Sequence, residues 1–256
     1  MFGTNFKITT LATRARSIQP NPSQLSSLKA WFDPSDLSTL YQDAAATLPV
    51  AADGDQVGAM LDKSGNGYHL MQVTASARPT YRTNGTRHWL EFDGINNTLS
   101  INSRLGFSTN PSLTISANLQ PVSYSASDHR VLHIGASGTS GNLGAAIGPS
   151  GAGQGWRYDN GNVLFSHPDA GSDYIMSWVR SEGATYGAGR AFRDGMELVS
   201  SGSSSASSVP TNSTESMSVG ARGTSLFANI LLYGLVILES DSDLDRAQSE
   251  TWVGTR

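Results

Sequence analysis

Between Leu113 and Leu119 every second residue is apolar: Leu113, Ile115, Ala117 and Leu119. Successive side chains of a strand point to opposite faces, so this period of two predicts a half-buried β-strand. The same logic applies to Leu90 and Phe92, which run into an Asp93-Gly94 turn. Ala191–Leu198 carries Asp194-Gly195 at its centre, a dipeptide that favours the type I′ turn of a hairpin. Further strands are expected at Arg130–Gly135, Tyr174–Arg180 and around Met217 and Val219. Phe227–Glu239 reads as one long apolar strand, or two meeting near Gly234. With 27 glycines among 256 residues, the chain suits many short strands joined by tight turns better than long helices. A chain of this length buries a core without staples, and the absence of cysteine excludes disulfides and thiolate zinc sites. The fold class is therefore all-β, a sandwich.

Both ends differ from this pattern. Residues 1–28 hold three basic side chains and no acidic one, and Gln19-Pro20-Asn21-Pro22-Ser23 reads as an extended linker. We divide the chain into an arm and linker, 1–27, and a sandwich, 28–256. Trp31 and Phe32 are expected as core anchors. Asp33-Pro34-Ser35-Asp36 and Asp62-Lys63-Ser64-Gly65-Asn66-Gly67 are expected as turns whose Asx oxygens cap backbone N–H groups. Residues 200–208, seven serines with one Gly and one Ala, read as a flexible loop. Ser242-Asp243-Leu244-Asp245 resembles a helix N-terminus, and Leu244, Ala247 and Thr251 would share one face of a short C-terminal helix.

A net charge of −4 with only 15% charged residues does not suit a nucleic-acid partner. The most apolar run, Ile230–Leu238, is of strand length, which argues against membrane insertion, and no apolar run suits a signal-peptide core. Glycoside hydrolysis needs two carboxylates across the bond. Glu91 and Asp93 supply an alternating pair, but the next same-face positions are Ile95 or Asn96. No G-x-S-x-G elbow and no HExxH spacing is present, and His129 and His133 are four apart in an expected strand, where they would not converge. No catalytic residues are assigned and no cofactor is required. Asp53, Asp55, Asp93, Asn96 and Asn97 are loop oxygen donors; Asp93, Asn96 and Asn97 are the candidate calcium ligands, with turn formation the alternative. Trp156, Tyr158, Asp159 and Asn160 combine aromatic, acid and amide as glycan receptors do; an ordinary strand followed by a turn is the alternative.

A family resemblance adds to this reading. Its carriers are Leu28–Asp36, Met60–His69, Arg78-Pro79-Thr80, Leu90–Gly94 and Met217–Arg222 with the strand and acidic helix that follow. In order and spacing they resemble the concanavalin A-like, laminin-G-type jelly rolls of phage and prophage virion proteins. That resemblance implies an antiparallel two-sheet jelly-roll sandwich of about a dozen strands, and a non-enzymatic virion structural protein, a capsid decoration or tail component. Its arm, with Phe6, Lys7, Arg14 and Arg16, would dock on other virion proteins, and its sandwich would display a surface for host or environmental glycans. It also implies assembly in the bacterial cytoplasm without a signal peptide, and three-fold sites on a capsid would suit a homotrimer. The alternatives are a stand-alone carbohydrate-binding module and a divergent glycoside hydrolase.

Overall fold

The computed structural model describes residues 21–108, 111–124, 129–135, 143–148, 154–158, 161–165, 170–183, 188–204 and 216–256. The chain runs through β1 (Leu28–Phe32), β2 (Leu40–Tyr41), β3 (Ala59–Met60), β4 (Leu70–Met71), β5 (Thr80–Thr83), β6 (His88–Asp93), β7 (Leu99–Ile101), β8 (Leu113–Pro121) and β9 (His129–Ile134). It continues with β10 (Leu143–Ile147), β11 (Gln154–Tyr158), β12 (Gly161–Phe165), β13 (Tyr174–Arg180), β14 (Arg190–Arg193), β15 (Met196–Glu197) and β16 (Ser200–Ser204). β17 (Met217–Val219), β18 (Asn229–Leu238) and helix α1 (Asp243–Val253) close it.

Two antiparallel sheets result. The first has the order β15-β14-β13-β8-β18-β6-β5, with β1 also on β18; the second has the order β16-β12-β11-β10-β9-β17-β7-β4-β3-β2. Between them lies one core, built from alternating residues such as Phe92, Leu113, Ile115, Trp178, Leu132, Met217 and Val219. Gly220, at φ 82°, lets β17 pass over Phe92; a Cβ there would collide with that ring. The all-β expectation holds, as do the strand at Tyr174–Arg180 and the hairpin at Asp194-Gly195, whose two central residues have φ of 51° and 80°.

The two turns expected from sequence are one knot. Asp62 Oδ1 accepts from the backbone N–H of Trp31 and of Ser64, both at 2.9 Å, and its Oδ2 accepts from Tyr68 N at 3.1 Å. Lys63 Nζ pairs with Asp33 at 2.9 Å and Asp36 at 2.8 Å, and it lies 4.5 Å from the centre of the Trp31 ring. The motifs thus position backbone: they clamp β1 to the turn that precedes β4.

Three expectations need correction. β8 is not half-buried; Thr114, Ser116 and Asn118 on its outer face are buried as well, because α1 lies across them. The C-terminal helix forms as expected, with Leu244, Ala247 and Thr251 on its exposed side; Arg246, Ser249, Glu250, Trp252 and Val253 form the buried side of α1. An i, i+4 ion pair, Arg246–Glu250 at 2.7 Å, holds the polar part of that side. Two further expectations change. Ser200–Ser204 is not a loop but an edge strand on β12, and 205–208 lie outside the described residues. Pro22–Gln24 makes a 3-10 turn capped by Asn21 rather than extended chain. No helix among the described residues is long and apolar enough to cross a membrane.

Among its register shifts each sheet has a bulge near its middle. In β18 the register slips between Leu232 and Gly234, which inserts Tyr233 as the extra residue. In β9 it slips opposite Ala145/Ala146, so that Val131 is extra. A bulge re-aims side chains. Here Leu232 and Leu235 both reach the core on one sheet, and Val131 and Leu132 on the other. Arg130 and His133, three apart, consequently share the outer face of the second sheet.

Candidate functional site

A cleft of about 670 Å³ opens on the outer face of the first sheet at the C-terminal end of α1. Arg87, His88, Asn118, Asp173, Asp194 and Arg256 line it. Each arrives for a local reason. Arg87 and His88 close the β5–β6 hairpin. Asn118 is an outward position of β8, Asp173 enters β13, and Asp194 sits at the positive-φ corner of the β14–β15 turn.

Arg87 is fixed on three sides. Its Nη1 donates to Asp173 Oδ2 at 2.7 Å, its Nε donates to the Arg256 carbonyl at 3.3 Å, and its guanidinium lies 3.8 Å from the ring centre of Tyr233. The bulge brings Tyr233 there, where β18 exchanges one ladder partner, β6, for the other, β1. Burial pushes the Tyr233 phenol above its ordinary range, with Arg87 pulling the other way. Trp89 packs at a tilt on Tyr233, 5.7 Å between ring centres. Asp194 Oδ1 accepts from Ile175 N at 2.9 Å.

Asn118 supplies the unusual group. Its Nδ2 donates to the carbonyls of Val253 and Arg256, which fixes the amide's orientation. Its Oδ1 then faces the other way, in a residue only 4% exposed, with no hydrogen-bond partner among the described residues. A buried acceptor without a donor costs on the order of 1–3 kcal/mol. Asn118 thus leaves one buried acceptor in the wall of a cleft that also holds the Arg87–Asp173 pair, which offers both acceptor and donor. Two carboxylates, Asp173 and Asp194, share this cleft.

The residues proposed from sequence are elsewhere. Asp159, Asn160, Phe6, Lys7, Arg14 and Arg16 lie outside the described residues, as do the side chains of Trp156 and Tyr158, whose backbones form β11. Asp93 Oδ1 accepts from the backbone N–H groups of Ile95, Asn96 and Asn97 at 2.8, 3.1 and 3.2 Å. Asn97 Oδ1 accepts from Asp93 N, and Asn96 Oδ1 accepts from the Asn97 amide. The three calcium candidates thus spend these oxygens within their own turn. Among the described residues no cluster of three or more His, Asp and Glu could hold a metal. Glu91 pairs with Arg82 at 2.6 Å on the outer face. Sequence reasoning missed Arg87, Trp89 and Asn118. A signal existed for two of them: with Leu90 and Phe92 inward, Trp89 faces outward, and with Leu113–Leu119 alternating, so does Asn118. Nothing in the sequence announced that Asp173 and Arg87, 86 residues apart, would meet.

No protein-family model matches the chain, and a comparison with curated proteins finds no match. Solved structures do match. A GH54 α-L-arabinofuranosidase soaked with a cyclic sulfate inhibitor superposes with a TM-score of 0.62 at 15% identity, over 89% of this chain and 63% of that one. An arabinofuranosidase complexed with arabinofuranosyl-α-1,2-xylobiose gives 0.57 at 14% identity, over 78% and 51%. Trypanosoma rangeli sialidase in complex with 2,3-difluorosialic acid gives 0.55 at 11% identity, over 90% and 33%. The chain thus spans between one third and just under two thirds of these proteins, and at such identities the likeness establishes the sandwich fold. It also corrects the sequence reading. The matched structures are glycoside hydrolases and not phage structural components, so the expectation of a non-enzymatic virion protein is overturned.

Proposed function

We propose that this chain is the carbohydrate-recognising sandwich of a glycan-active protein, and that a saccharide seats in the cleft between Arg87, Asn118 and Asp173. The observation that carries this reading is the Asn118 carbonyl oxygen, buried in the cleft wall and without a donor among the described residues. A sugar hydroxyl supplies that donor. A second hydroxyl spans the Arg87–Asp173 pair, donating to the carboxylate and accepting from the guanidinium, a charge-assisted arrangement stronger than a neutral one. The fold likeness to arabinofuranosidases and a sialidase supports a glycan ligand, since those proteins are named for cleaving glycans.

A second reading is favoured by one feature, the presence of Asp173 and Asp194 in the same cleft. Two carboxylates are the minimum for acid–base cleavage of a glycosidic bond. One experiment addresses both readings. The protein is titrated calorimetrically with arabino-oligosaccharides and sialyl-oligosaccharides, and each mixture is then analysed for released sugar. Binding that Asp173→Asn weakens about tenfold supports recognition in the cleft. Released sugar that Asp194→Asn abolishes establishes cleavage. An unbroken failure of all these glycans to bind contradicts the proposal.

A further inference from the structure

The second sheet opens on its outer face where two strands part. β4 and β7 share a single ladder pair, Met71 with Ser100. His69 directly precedes β4 and Asn102 directly follows β7, and the strands are antiparallel, so both residues lie at the same end of the pair. A cleft of about 320 Å³ opens there. Met71, Val73 and Ile101 wall it, with His69, Ser100 and Asn102 among them. Met71 is 42% and Val73 79% exposed, so a ligand reaches the apolar wall directly from solvent.

Three polar groups of this cleft are uncommitted. The backbone N–H of Asp62 donates to His69 Nδ1 at 3.0 Å, so the proton of the neutral ring sits on Nε2. No described residue accepts from that Nε2, and the Ser100 hydroxyl and Asn102 amide make no hydrogen bond among the described residues. Gln72, beside them, is spent on its own strand: it donates to the Thr98 carbonyl and accepts from Thr74 N, both at 3.0 Å. The cleft thus sets a fixed donor, a hydroxyl and an amide against an apolar wall. No Asp, Glu, Lys or Arg is among the described residues that line it, unlike the cleft at Arg87.

We infer that this cleft is a second ligand site, for one neutral pyranose unit. The C–H face of the sugar rests on Met71 and Val73. One hydroxyl oxygen accepts from His69 Nε2, and a neighbouring hydroxyl pairs with the Asn102 amide. Ligand pockets span about 300–1,000 Å³, and a cleft at the small end suits a single ring. A sugar acid fits poorly, because its carboxylate would lose water with no cation to meet it. The inference does not depend on the cleft beside Arg87, which lies on the other sheet.

The test is NMR of the whole chain, following the His69 ring and Met71 methyl signals, assigned through His69→Gln and Met71→Leu. The probes are methyl β-D-glucopyranoside, methyl β-D-glucuronide, which adds a carboxylate, and cyclohexanol, which keeps a ring with one hydroxyl. The expected result is a saturable shift of both signals with the glucoside and about tenfold weaker binding of the other two. The response is the same in Asp173→Asn, a change confined to the other cleft. Asn102→Ala weakens the glucoside titration about fivefold, and since Asn102 is exposed this variant keeps the fold. Unmoved His69 and Met71 signals overturn the inference. So does an equal response to the glucuronide, or to cyclohexanol, which makes the wall a bare apolar patch. Signals that shift with protein concentration alone overturn it too, and give the cleft to a second copy of the chain.

Discussion

The outer faces of the two sheets are chemically alike and structurally opposite. Both carry serines and an amide or imidazole at strand centres, and both have a bulge near the middle. On the first sheet α1 covers them. Ser116 Oγ hydrogen-bonds Ser177 and Ser249, both at 2.7 Å, and Asn118 holds the carbonyl of Val253. Beside this seam Trp252 meets Trp31 edge-on at 5.1 Å, and Val236, Leu238 and Val253 complete a second small core. On the second sheet, Ser218 donates to Ala221 of the adjoining turn at 2.7 Å, and no described helix lies over it. One face spends its polar groups on holding the fold together, with the Asn118 oxygen left over. The other buries an imidazole, His133, without a helix to cover it. Polar residues at outward strand positions are thus not by themselves a sign of function; what covers them decides.

The comparison breaks if the covered face contributes little to stability. Trp252→Ala removes the ring that packs on Trp31, and a large-to-small aromatic change in a core costs about 3–5 kcal/mol. Chemical denaturation should show a loss of this size, together with loss of the cleft that Gly254–Arg256 help to line. Asp62→Ala strips the buried oxygens that accept from Trp31, Ser64 and Tyr68; the expected loss is about 2–3 kcal/mol, seen in the same unfolding curves.

The second face makes a pH prediction. Burial first, then Arg130 and Arg222, hold the His133 imidazole down to about 3. The unfolded chain takes up that proton near pH 6.5, whereas the folded chain refuses it until far lower. Stability is therefore complete above pH 6.5 and declines as pH falls toward 3, by at most about 1.4 kcal/mol per unit from this group. Unfolding measured at stepped pH should show this slope in the native protein and a shallower one in His133→Gln. Parallel slopes would mean that His133 is not shielded as described. The smallest effect on stability belongs to the cleft. Asp173 is about half exposed, so Asp173→Asn should change stability by less than about 0.5 kcal/mol while weakening glycan binding about tenfold.

Period two made most of this architecture legible. It located β6, β8, β13 and β17, and the Asp-Gly dipeptides located their turns. What it missed has physical causes. Ser200–Ser204 lacks any apolar alternation, so period two carries no signal for a strand recognisable only by its ladder to β12. The buried face of α1 was not legible because its inward residues include Arg246, Ser249 and Glu250, polar groups that meet polar strands. Tyr233 and His133 were hidden by bulges, which shift side chains to positions a strict alternation assigns elsewhere. The candidate site was the least legible part. Arg87, Asn118, Asp173 and Asp194 come from four separate elements, and nothing local in any of them signals the others. The acids that looked paired in sequence, Glu91 and Asp93, went instead to an ion pair with Arg82 and to a self-capped turn.

The most direct measurement is a crystal structure of the whole chain soaked with the glycan that binds most tightly in the calorimetric series. The account predicts a sugar in the cleft on the first sheet, with one hydroxyl on Asn118 Oδ1 and another bridging Arg87 and Asp173. A glycan bound elsewhere, with the Asn118 oxygen still unpartnered, would contradict it.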